Sequence, residues 1–85
     1  MQNYLLLCRS ITHAQRMSSA LERVGVRGRI FRPPLGLTDR GCSYAVGIGA
    51  RYLEAAMRQL RTEQLLPEHV FYAAGDGTYR EIMLR

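Results

Sequence analysis

The run Tyr4-Leu5-Leu6-Leu7-Cys8 limits the fold more than any other stretch, because it is apolar at every position rather than at alternate ones. A strand that is apolar on both faces belongs at the centre of a sheet, with cover needed above and below. At 85 residues the chain has room for one small domain, residues 1–85, near the size at which a single core only just suffices. With 47% hydrophobic and 22% charged residues, it reads as folded rather than disordered.

The segments around this strand repeat a strand-helix-strand rhythm. After Cys8, Thr12 and Gln15 have the spacing of a capping box, and Ala14, Met17, Leu21 and Val24 recur on one helical face. Gly25 is placed as a left-handed helix stop. Val26 to Arg32 alternates, with Gly28 and Ile30 on one side and Arg27, Arg29 and Phe31 on the other, as in an edge strand. Pro33-Pro34 ends it, and a polar loop leads to Gly41. Ser43 to Ile48 is a third strand, a second amphipathic helix runs from about Ala50 to Gln64, and His69 to Ala74 is a fourth strand. Gly75-Asp76-Gly77 marks a turn, after which Thr78 to Leu84 can return as a fifth, edge strand.

Two such units in under ninety residues predict an α+β, ferredoxin-like split βαβ-βαβ domain. Its antiparallel sheet has the order 4-1-3-2, with both helices on one face. Leu5 and Leu7 are then expected on the open face of a monomer, which predicts a homodimer that covers them.

This topology collects the chemistry-bearing residues at one end of the sheet. Right-handed crossovers bring the end of strand one, the start of helix one and the start of strand three together, so Cys42 is expected beside His13. A helix N-terminus and a nearby cation both favour a thiolate, and His13 is positioned to orient or deprotonate it. Ser10 and Thr12 are read first as caps and second as anion donors, with Arg9, Arg40, Gly41 and Ser43 completing an anion-binding surround. Each residue also has a plainer reading. Cys42 fits a small buried hydrophobe, His13 fits an exposed helix end, Cys8 fits core packing, and His69 fits the surface. A Cys8–Cys42 bridge is left open by the spacing.

Composition excludes several functions. The two cysteines show neither CxxC nor His-rich spacing, which argues against structural zinc and against a secreted disulfide scaffold. No metal or cofactor is expected. The apolar N-terminal run is too short for a signal region or a membrane span, so a soluble, cytoplasmic protein is expected. All twelve basic residues are arginines and the net charge is +5, which suits anionic partners. They are spread along the chain, however, and strand three, which reads Tyr44-Ala45-Val46-Gly47-Ile48, lacks the aromatic ribonucleoprotein motif that stacks RNA bases, so nucleic acid is not the expected partner.

Ser10 to Ala14, the Gly25 stop, the proline-containing loop and Gly41-Cys42-Ser43-Tyr44-Ala45 together resemble the selenium/sulfur carrier-like family, over about Tyr4 to Ala74. Thr12-His13-Ala14 matches that family's helix start. Ser43 stands where the family has glycine after the cysteine. The resemblance implies a cysteine-based carrier rather than an enzyme in the strict sense. The Cys42 thiolate would take sulfur or selenium from a donor protein, as a persulfide or selenosulfide, and pass it to an acceptor. The contrasting expectation is a non-catalytic ferredoxin-like module that regulates or binds a protein partner.

Overall fold

The computed structural model describes residues 3–34, 36–37 and 44–82. Its elements run β1 (Tyr4–Cys8), α1 (Ile11–Glu22), β2 (Arg29–Phe31), β3 (Tyr44–Ile48), a 3-10 turn (Ala50–Tyr52), α2 (Leu53–Thr62), β4 (His69–Ala73) and β5 (Tyr79–Glu81). The five strands form one antiparallel sheet in the order β2-β3-β1-β4-β5. Read from the other edge, this is 5-4-1-3-2, so the expected run of four is present and the fifth strand lies beside β4. β1 sits at the centre, as its uninterrupted apolar run requires.

The sheet has two differently covered faces. Leu6, Cys8, Val46, Ile48 and Val70 point to the face on which α1 lays Ala14, Met17, Ala20 and Leu21 and α2 lays Ala56, Met57 and Leu60. Both helices therefore serve the same side. On the opposite face Leu5, Leu7, Ala45 and Phe71 form a second cluster, with Phe31 and Leu37 packed against it. Here the structure corrects the reading of an exposed face. Leu5 and Leu7 are only 3% and 1% accessible within one chain. The loop after Pro33-Pro34 is not simply polar, because its Leu37 lies against this cluster. The apolar exposure that motivated a homodimer is thus absent at these two residues.

Local details adjust the boundaries. The N-cap of α1 is Ser10, not Thr12: Ser10 has extended backbone (φ −151°) and its Oγ accepts from the His13 amide at 3.1 Å. Thr12 lies inside the first turn and is exposed. Val24 falls past the helix end and is 45% exposed. Gly25 takes the left-handed conformation (φ 75°), which lets the Val26 amide close onto the Leu21 carbonyl at 2.9 Å. At the end of α2 the same closure, Leu65 amide to Leu60 carbonyl at 2.8 Å, runs through Gln64 at φ 58°. β2 is shorter than the alternating pattern suggested, three residues against seven. Gly28 precedes it, in close approach to Val46.

Candidate functional site

The β1 register fixes which residues meet at its C-terminal end. Cys8 pairs with Tyr44 and Leu7 with His69, so the start of α1 and the starts of β3 and β4 share one edge of the molecule. A cleft of about 330 Å³ opens there, lined by Arg9, Ser10, Thr12, His13 and Glu68 among others.

Each of these side chains has a distinct state. Ser10 Oγ is engaged in capping, so its first role is structural, while the earliest helix amides remain outside the helical ladder and give this end a positive potential. His13 is half-buried. Its Nδ1 is fully buried and has no hydrogen-bond partner among the described residues. Arg9 Nη2 donates to Glu68 Oε2 at 2.8 Å. That hydrogen bond and the Arg9 charge hold the Glu68 carboxyl below its ordinary value against partial desolvation, with smaller contributions from His13 and His69. Glu68 is itself anchored, its amide donating to the Leu7 carbonyl at 2.9 Å. His69 is half-buried, and its Nδ1 lies 2.7 Å from Glu81 Oε2 on β5.

Of the residues anticipated from sequence, Arg9, Ser10, Thr12 and His13 are brought together here. Arg40, Gly41, Cys42 and Ser43 lie outside the described residues, as does any pairing of Cys42 with Cys8. Cys8 is fully buried, its Sγ 3.4 Å from the Leu6 carbonyl oxygen and 3.2 Å from Met17 Sδ. No group of three or more metal-ligating side chains occurs among the described residues, and none of their helices is long and apolar enough to cross a membrane.

Two participants escaped the sequence reading, Glu68 and Glu81. Glu68 was legible in principle. It immediately precedes β4, and an antiparallel β4 beside β1 must begin where β1 ends. Glu81 could not be found that way, because its meeting with His69 depends on the register of the β4–β5 hairpin, in which Phe71 faces Glu81.

Chemically, the edge combines helix amides, an arginine tied to a carboxylate, and an imidazole with an unsatisfied ring nitrogen. This is a polar setting in which the helix amides can hold an anion. No curated protein and no solved structure matches the chain. The family model described as "Putative Se/S carrier protein-like" matches residues 3–72, from just before β1 to within β4, and so takes in this whole edge of the sheet. The chain belongs to that Se/S carrier-like family.

Proposed function

We propose that this protein carries a sulfur or selenium atom on Cys42, on a ferredoxin-like scaffold, between a donor and an acceptor protein in the cytoplasm. Membership of the carrier-like family over residues 3–72 is the observation that carries the reading. Two features of the fold are consistent with it. Cys42 stands two residues before Tyr44 in the chain, and Tyr44 pairs with Cys8 at the edge where α1 begins. The cleft at that edge holds His13 and the positive end of the helix.

In the transfer step the Cys42 thiolate attacks the outer sulfur of a donor persulfide. A new sulfur–sulfur bond forms at Cys42, the donor's sulfur–sulfur bond breaks, and the donor leaves as a thiolate. There is no net oxidation, because the sulfane sulfur moves with its oxidation state unchanged. Transfer to an acceptor thiolate is the same reaction in reverse. The helix amides and His13 stabilise the anionic sulfur before and after transfer.

Alkylation kinetics test this directly. Cys42 should react at neutral pH with an apparent thiol pKa below the free value of about 8.5, whereas Cys8, fully buried, should react only on unfolding. His13→Ala should slow Cys42 alkylation near neutrality. An ordinary thiol pKa at Cys42 that is indifferent to His13 would instead favour a non-catalytic protein-binding module.

A further inference from the structure

A second cleft, of about 520 Å³, runs along α1 between the helix and the end of α2. It shares Thr12, Arg16 and Leu65 with the cleft at the start of the helix. The two are therefore one continuous groove, beside all of α1. The 12 residues of α1 rise about 18 Å, which equals five or six residues of extended chain at roughly 3.3 Å each. That is too long for one small anion and suits a peptide.

The charges along the groove are ordered. Arg9, Arg16 and Arg23 recur every seven residues, a spacing that keeps Arg16 and Arg23 on one helical stripe. The two outer arginines are tied down, Arg9 by Glu68 at 2.8 Å and Arg23 by Glu63, whose carboxylate accepts from Arg23 Nε at 3.0 Å. Arg16, exposed at the centre, has no ion pair among the described residues. Between the charges the helical wall carries hydroxyls and an amide from Thr12, Gln15 and Ser19. The facing wall includes Gln64, the one non-glycine residue with positive φ among the described residues. A left-handed residue is needed for the turn there, and glycine would fill it without the strain that a side chain brings. Glutamine at this position places a further amide on the groove.

We infer that this groove docks a short, extended, polar segment of a partner protein that carries a single carboxylate opposite Arg16. One unpaired guanidinium offers a carboxylate two parallel hydrogen bonds. The hydroxyls and amides on either side suit peptide backbone and small polar side chains. Glu63 and Glu68 already neutralise Arg23 and Arg9 at the two ends, so further carboxylates gain no second ion pair there, and a polyanion such as nucleic acid or a run of acidic residues has no advantage over a single carboxylate. That the segment belongs to the sulfur donor or acceptor rests on the carrier reading; the recognition itself does not.

Amide NMR titration of the full chain tests the inference, using blocked hexapeptides of glycine and serine with one central glutamate, the same peptide with glutamine, and hexaglutamate. The single-glutamate peptide, at up to millimolar concentration, should shift amides of residues 12–23 and 63–66. Glutamine in the peptide, or Arg16→Glu in the protein, should weaken binding about tenfold, the scale of one charge-assisted contact. Arg16 is exposed, so amide dispersion should report an unchanged fold, and Arg16→Gln provides a second variant without charge reversal. Hexaglutamate should bind no more tightly than the single-glutamate peptide. Absence of shifts with every peptide, shifts that survive Arg16→Glu, or affinity that climbs with peptide charge would each overturn the groove as a selective site. The titration repeated on Cys42→Ser should be unchanged, so that loss of the carrier reading and loss of the groove are separately visible.

Discussion

Gly28 is a position where one methyl group decides packing. A Cβ there would lie 2.6 Å from Val46 Cγ1 and 3.5 Å from Leu21 Cδ1. Val46 is fully buried on the central part of the sheet, and its β-branched side chain has little rotamer freedom with which to retreat. Gly28→Ala should therefore destabilise by about 1–3 kcal/mol, the range for overpacking, as read from the urea midpoint at unchanged slope. In a Val46→Ala background the same substitution should cost less, and an equal cost in both backgrounds would show that the clash is not the cause. The cap of α1 is equally specific. Ser10→Ala should lose about 1 kcal/mol, while Thr12→Ala, exposed in the first turn, should change stability by under about 0.5 kcal/mol. The reverse ranking would restore the Thr12–Gln15 capping box that the sequence spacing suggested.

At the scale of elements, what could be read from sequence was what local pattern determines. Strand β1 was legible because five consecutive apolar residues fit no exposed element. α2 was legible through Leu53, Ala56, Met57 and Leu60, three of them buried and Leu53 packed beside them. The Gly75-Asp76-Gly77 turn was legible through its residue types. Asp76 Oδ1 accepts from the Thr78 amide at 3.0 Å and hydroxyl at 2.7 Å, and Gly77 takes φ 92°. The errors came where a long-range partner decides. Thr12 and Ser10 are both competent caps, and the choice between them depends on where β1 releases the chain. Leu37 falls in a stretch read as a polar loop, and its packing against the cluster of Leu5, Leu7 and Phe71 depends on strands distant in sequence. Half of the candidate site, Arg9 through His13, was legible as a helix start next to a strand end. Of its acidic partners, Glu68 was legible in principle from its place just before β4, whereas Glu81 was not, because its meeting with His69 depends on the β4–β5 register.

At the scale of the whole molecule, three ties among the described residues link separate elements through carboxylates: Glu68 to Arg9, Glu63 to Arg23, and Glu81 to His69. The first two carboxyls are held below their ordinary value, chiefly by their arginine hydrogen bonds. A group with a depressed folded-state pKa contributes stability that is present above its unfolded pKa, about 4.3 for glutamate, and is lost as pH falls through the folded value. The protein should accordingly be as stable at pH 6 as at pH 7 with respect to these two groups, then lose stability below roughly pH 4.3. Both pairs are solvent-facing, so the loss should be modest and should shrink in high salt. Arg9→Ala should flatten part of the acid limb in a urea-midpoint series against pH. An unchanged limb would mean that the Arg9–Glu68 tie contributes nothing measurable.

The same scale sets the functional question, since the β1 register brings His13, Arg9 and Glu68 to the edge from which β3 begins, and the carrier-like family match spans all of these elements. The most direct measurement is intact and peptide mass spectrometry of the protein after incubation with a persulfide donor and, separately, after isolation from its own cells. The carrier account predicts one added sulfur or selenium atom located on Cys42, released by thiol reductant, retained in Cys8→Ala and absent in Cys42→Ser. A protein that acquires no such atom under either condition, or acquires it on Cys8, would contradict it.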